Sequence, residues 1–308
     1  MKISYYPGCT LKTKAKNFED SALASLAALG IEVEELPRWN CCGAVYSLAD
    51  DDLLHQVAPV RVLVRAKDEG ADKLLTLCSQ CYNVLARANR LMRDDEEKRG
   101  TINTFMDEET DYFGEVEVVH LLDLLRTEVG WDSMREKLSA PLEGFRIAPY
   151  YGCALTRPRD VAVGQHPTRP TIFKDFIAAL GAVPVDFPRA EECCGAYENL
   201  VNPDEGTRQA AKVLSGALAK EADALVLSCP LCEYNLSKRQ ERVRTARPGL
   251  SELPVFYFTQ LLALALGVEP ERSRFELNHQ RDRAVLESRG LLSTAAQGTE
   301  SAGEENPA

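Results

Sequence analysis

The stretches ADKLLTLCSQCY (71–82) and ADALVLSCPLCE (222–233) decide how this chain is read. Each opens on Ala-Asp, continues as a short apolar run, and ends in Cys-x-x-Cys. The apolar runs, 73–77 and 224–227, have the length and composition of buried strands. The cysteine pairs then fall where a strand ends and a helix begins. Outward from these segments, all ten cysteines fall into two sets of five: Cys9, Cys41, Cys42, Cys78 and Cys81, then Cys153, Cys193, Cys194, Cys229 and Cys232. In both sets the adjacent pair is followed by glycine, Gly43 or Gly195.

The repetition extends beyond the cysteines. LAALG (26–30) matches IAALG (177–181), and LPR (36–38) before the first Cys-Cys-Gly matches FPR (187–189) before the second. A repeat of this kind marks a duplication, with its boundary near 131–145. The expected domains are 1–135 and 145–290, followed by a disordered acidic tail, 291–308. From Ser293 onward that tail has no Val, Ile, Leu or aromatic residue with which to build a core.

Within each half, strands and helices alternate. The pattern predicts strands at 2–6 and 146–151, and helices at 17–29 and 170–180 stopped by Gly30 and Gly181. It predicts further strands at 31–35 and 182–187, helices at about 50–69 and 205–221, and strand–helix pairs at 116–128 and 254–266. Alternation predicts an α/β protein made of two repeated units with mainly parallel sheets. Ligands of such sheets gather at the carboxyl ends of the strands, where the cysteines map as sites on strand-to-helix loops.

Bulk properties narrow the function. The chain has 308 residues, 45% of them hydrophobic, enough for two cores without cross-links. The start MKISYYPGC has no apolar signal region, so a cytoplasmic protein is expected, with any membrane association coming through partners. Ten cysteines in that setting argue for metal or redox use rather than disulfides, and five per half suits disulfides poorly. The net charge of −11 is mostly local: 93–115 carries nine acids against three bases, and the tail adds three glutamates. The acidic segment is expected to be a solvated loop, and nothing points to nucleic acid. The apolar run Phe256–Val268 is 13 residues long, too short to span a bilayer. It is expected to be a buried helix, with shallow membrane contact as the alternative.

Cys-x-x-Cys at a helix start puts thiolates where N–H groups favour negative charge. Four thiolates suit zinc or an iron–sulfur cluster. A zinc site of four cysteines leaves the fifth unused in each half, and adjacent cysteines fit one tetrahedral ion badly. Their sulfurs could hold two iron atoms or bridge a pair, so the spacing favours a multi-iron cluster. Gly43 and Gly195 would let the backbone turn tightly against a bulky cofactor.

The pattern Cys-x(31–39)-Cys-Cys-Gly-x(33–34)-Cys-x-x-Cys, with Tyr-x-Gly-Cys at 6–9 and 150–153 and FTQLL at 258–262, resembles the cysteine-rich CCG domain. Two copies resemble the catalytic, B-type subunit of heterodisulfide reductase over about residues 1–290. The resemblance implies a non-cubane [4Fe-4S] cluster on each set of five. It implies an oxidoreductase that cleaves a small-molecule disulfide, of the coenzyme M–coenzyme B type or an analogue, between the two clusters. Electrons would arrive singly within a hetero-oligomeric complex, from a ferredoxin-like iron–sulfur subunit of the C type served by a flavin-bearing subunit of the A type. Protonation would then release two thiols. The alternative is an electron-transfer subunit of a succinate dehydrogenase or fumarate reductase, exchanging electrons with quinone and touching the membrane through a segment such as 256–268. A zinc-stabilised scaffold, or zinc in one half, ranks lower.

Other candidates are weaker. His55, His120, His166 and His279 have no metal spacing among them. His120 suits a packing or capping role better than a pocket wall. Arg38 and Arg189 recur before Cys-Cys-Gly, and Lys12, Lys14, Arg157 and Arg159 follow the first cysteine of each half. These cations could neutralise a cluster or hold anionic tails, against an ordinary surface role. No glycine-rich nucleotide loop is present.

Overall fold

The computed structural model describes residues 1–44, 53–164 and 170–292. His166 and the expected tail from 293 lie outside the described residues. The first half runs β1 (Lys2–Tyr6), α1 (Lys16–Ala28), β2 (Glu32–Glu35), α2 (Val57–Asp68), β3 (Lys73–Thr76), α3 (Ser79–Asp94), α4 (Glu96–Phe105), β4 (Glu117–His120) and α5 (Leu121–Leu124). After α6 (Trp131–Glu136) the second half runs β5 (Arg146–Pro149), α7 (Ile172–Ala179), β6 (Val183–Pro184), α8 (Pro203–Leu218), β7 (Ala224–Leu227), α9 (Pro230–Glu233), α10 (Gln240–Ala246), β8 (Val255–Tyr257), α11 (Phe258–Ala265) and α12 (Gln280–Ser288).

Each half forms its own four-stranded sheet, in the orders β2-β1-β3-β4 and β6-β5-β7-β8, with every neighbouring pair parallel. The orders superpose strand for strand, as a duplication requires. The β7 run Ala-Leu-Val-Leu is wholly buried, which is why it carries no alternation. The repeated Leu-Gly signal ends α1 and α7 in the same way. Gly30 N donates to Ala27 O and Ile31 N to Leu26 O, while Gly181 N donates to Ala178 O and Ala182 N to Ile177 O. These paired bonds satisfy the last helical carbonyls.

The acidic segment is not a solvated loop throughout. Residues 96–105 form α4, whose first turn is held by Asp95 Oδ1 accepting from Lys98 N. Glu96 and Glu97 sit where the helix dipole favours negative charge. Ile102, Met106, Tyr112 and Val116 are buried against α2 and α3 in the outer core of the first half. A high charge density masked an apolar face with few members.

A second, larger core runs through both halves. α11 packs on α1, and its counterpart α5 packs on α7, so each half lends the helix after its last strand to the other's first helix. Phe258 is the hub. Its ring meets Phe18, Phe173 and Phe176 edge-on at 5.6–5.9 Å and stacks on His120 at 6.0 Å. Phe18 stacks on Tyr257 at 4.3 Å. Between the helices, Ser21 Oγ and Thr259 Oγ1 lie 2.7 Å apart. Every residue of α11 is buried. The membrane-contact alternative for 256–268 is thereby corrected, because the apolar face that would touch lipid is spent on α1. No helix among the described residues is long and apolar enough to cross a membrane.

Phe18→Ala is expected to destabilise the protein by about 3–5 kcal/mol. Because the core is shared, urea unfolding should show one transition by near-UV and far-UV circular dichroism. Two separated transitions would contradict a common core.

Candidate functional site

In both sheets the first and third strands lie side by side while the chain leaves them in opposite directions. Their carboxyl ends flank a crevice of the kind that binds ligands in open α/β sheets. Cys9 follows β1, Cys41 and Cys42 lie in the loop after β2, Cys78 caps α3 directly after β3, and Cys81 lies in the first turn of α3. Cys153, Cys193, Cys194, Cys229 and Cys232 take the matching places around β5, β6, β7 and α9.

The sequence reading did not assign the tyrosine of Tyr-x-Gly-Cys a task. Tyr6 Oη donates to Asn40 O at 2.8 Å, and Tyr150 Oη donates to Glu192 O at 2.7 Å. Each pins the residue just before the adjacent cysteines. The glycine of the same motif brings the backbone against the last cysteine. A Cβ on Gly8, at φ +74°, would lie 3.1 Å from Cys81 Sγ, and Gly152 similarly faces Cys232 Sγ at 3.7 Å. Gly195 has a different role from the one expected. A Cβ there would lie 2.9 Å from Gln209 Cβ and 3.0 Å from Gly206 Cα, so this glycine makes room for α8. Among the described residues, a Cβ on Gly43 would meet Ala58 Cβ at 3.6 Å.

The ten sulfurs form one continuous run. Cys9 Sγ lies 3.8 Å from Cys41 Sγ, and Cys42 Sγ lies 3.6 Å from Cys81 Sγ. Electrostatic couplings link Cys41 to Cys42 and Cys81 to Cys78, then Cys78 to Cys229 across the two halves. From there they pass to Cys232, Cys194, Cys193 and Cys153. The crossing is braced by Ser79 N donating to Ser228 O at 2.9 Å. Hydrogen bonds with Cys41 and Cys81 hold the Cys42 thiol well below its usual range. Cys153 and Cys194 do the same for Cys193, and Cys232 and Cys78 for Cys229. The same neighbours and burial push Cys41, Cys78, Cys81, Cys153, Cys194 and Cys232 up, so thiolate, the ligand form, is favoured at Cys42, Cys193 and Cys229.

The two sets differ in access. Cys9 and Cys41 are exposed, whereas Cys194, Cys229 and Cys232 are buried. The second set lines a hollow of about 20 Å³ together with Gln80, Tyr151, Gly152 and Tyr197, room for roughly one water. Among the described residues no three His, Cys, Asp or Glu side chains converge as a single metal ion would need. Soft sulfur donors in this number suit an iron–sulfur group.

Two asparagines near the last cysteines also escaped the sequence reading. Asn235 donates to Cys194 O at 2.5 Å and to Gly206 O at 3.3 Å, holding the Cys-Cys-Gly loop against α8. Asn83 instead reaches across to Ala154 O at 2.8 Å and Arg157 O at 2.6 Å in the other half. Asn83 stands two residues beyond Cys81 and Asn235 three beyond Cys232, and the extra residue is taken up in a π-helical turn, Tyr234–Lys238. The recurring Asn was the available signal.

The weaker candidates divide. His120 is fully buried, and its Nδ1 caps α5 by accepting from Leu122 N. Burial pulls its imidazole down to about 3, so it packs and caps. His279 caps α12, and His55 lies in the turn before α2, away from any cysteine in sequence. Lys12 is paired with Glu19 and Glu35, and Arg189 with Glu192. Arg38, Lys14 and Arg159 are exposed. Arg157 helps to lower Cys193, and it donates to Glu191 O at 3.1 Å.

Comparison with known proteins agrees with this geometry. The family model described as "Cysteine-rich domain" (CCG) matches residues 3–86 and again 147–237. The chain is 31% identical, over 90% of its length and 96% of the relative's, to the 8-methylmenaquinol:fumarate reductase membrane anchor subunit of Wolinella succinogenes. It is 28% identical, over 90% of its length and 93% of the relative's, to the B-type subunit of ferredoxin:CoB-CoM heterodisulfide reductase from Methanosarcina mazei. A crystal structure of a hypothetical protein from Helicobacter pylori shares the fold, with a TM-score of 0.71 at 15% identity, covering 88% of this chain and 50% of that one. With two matched copies and cysteines at the same strand ends in each, the chain belongs to the cysteine-rich CCG domain family.

Proposed function

We propose that this chain is the disulfide-reducing subunit of a heterodisulfide reductase-like complex. Cys9, Cys41, Cys42, Cys78 and Cys81 would hold one non-cubane [4Fe-4S] cluster, and Cys153, Cys193, Cys194, Cys229 and Cys232 a second. The observation that carries the reading is that Ser79 N donates to Ser228 O at 2.9 Å, which holds the helix starts at Cys78 and Cys229 together and so brings the two thiol sets to one place between the halves. Reducing a disulfide takes two electrons and two protons and yields two thiols. Clusters held there would supply one-electron redox chemistry, and two adjacent centres can serve the two sulfurs of one disulfide. The chain's own contribution is to keep both sets at facing strand ends. Tyr6, Tyr150 and Asn235 fix the loops, and burial excludes water from the second set. Electrons would come from a ferredoxin-like subunit, itself served by a flavin-bearing one.

The relative from Wolinella favours a second reading, electron transfer to or from quinone in a fumarate reductase-type complex. In that reading membrane contact comes through partners or other surfaces, since α11 is buried.

Anaerobic assays with a reduced viologen dye separate the two. Dye oxidation that depends on a disulfide of the coenzyme M–coenzyme B type, with two thiols formed per disulfide, supports the first reading. Oxidation driven only by a menaquinone analogue supports the second and contradicts the first.

Cys81→Ser and Cys232→Ser each remove a ligand from one set only. Each is expected to abolish thiol release while the circular dichroism spectrum stays native. Turnover that survives either substitution would contradict a two-centre mechanism.

A further inference from the structure

The hollow at the second cysteine set has polar groups that nothing in the fold uses. Gln80 is 4% exposed, lines the hollow, and its Nε2 is buried without a hydrogen-bond partner. Tyr197 lines the same hollow, and its phenol oxygen is likewise buried and unpartnered. A buried donor left unmade costs free energy, and such groups are uncommon in folded proteins. With the phenol of Tyr151, also buried and unpartnered on this lining, three such groups stand at one hollow beside five sulfurs and lack an acceptor. Gln80 also comes from the first half, at the start of α3, and reaches a hollow that the second half's cysteines build. The second Cys-x-x-Cys has Leu231 at the matching position, with no donor. The polar pair is thus a feature of one site and not of the repeat.

We propose that Gln80 and Tyr197 donate hydrogen bonds to cofactor sulfur at the second cysteine set and thereby make that centre easier to reduce. The inference rests on the iron–sulfur reading above. Reduction adds negative charge to the cluster, and burial opposes it. Donors aimed at the sulfurs stabilise the added charge, which is one of the ways proteins set cluster potentials. The second set is the more buried of the two, so it is the one where such donors matter most. They let an enclosed centre accept an electron from an exposed neighbour.

The test is an EPR-monitored redox titration of the anaerobically purified full chain, as wild type, Gln80→Leu and Tyr197→Phe, with iron content measured on each. Each substitution is expected to make reduction about tenfold less favourable in one of two couples, a shift of about 59 mV for a one-electron couple. The other couple and the iron content should not change. The proposal is overturned if both couples stay put or both move together. It is overturned too if either variant loses iron, or if the KM for a disulfide rises while the couples do not move, since the donors would then serve the substrate. Wild-type protein without iron would instead overturn the iron–sulfur reading itself, an outcome visible before any variant is compared.

Discussion

The meeting of Cys78 with Cys229 is the constraint on which the rest of this structure depends. For two sets of thiols to face each other, the ends of β3 and β7 must abut. That requires the two sheets to be held by something stronger than a linker. The exchange of the helices that follow β4 and β8 does this: α11 lies on α1 and α5 on α7, with Phe258 at the centre of the aromatic contacts. Ser79 N to Ser228 O then fixes the two helix starts relative to one another. Here the duplication has a structural use, because each copy completes the packing of the other.

Gathering ten thiols at one crevice has a cost, since thiolate charge is disfavoured by burial and by neighbouring thiolates. Three features offset it. The Cys-x-x-Cys pairs start helices, where free N–H groups face the sulfur. Each lowered thiol is held so by two neighbouring thiols, as Cys42 is by Cys41 and Cys81. Gly8 and Gly152 bring main chain rather than a side chain against Cys81 and Cys232. The two sites are nevertheless unequal. Cys9 and Cys41 face solvent, while the second set is enclosed and keeps Gln80 and Tyr197. A symmetric origin has produced an accessible centre and a protected one.

Much of this was legible in the residues. The parallel α/β alternation and the placement of the cysteines at strand ends follow from apolar runs that end at Cys, because a fully buried parallel strand and a helix start each leave a local trace. The pairing of the halves left none. That Phe18 would stack on Tyr257, or that α11 would turn its apolar face to α1 rather than to lipid, depends on contacts some 240 residues apart. Helix α4 was hidden because one buried isoleucine among charges gives no visible period. The two asparagines were obscured by a one-residue offset that a π-helical turn absorbs. Gly195 was legible as a tight turn but not as the seat of α8.

The most direct test of the central claim is the iron, acid-labile sulfide and zinc content of anaerobically purified protein. Two four-iron clusters give about eight irons and a matching amount of sulfide per chain, with no zinc. Zinc in place of iron, or about half that iron with one set empty, would contradict a pair of facing iron–sulfur centres.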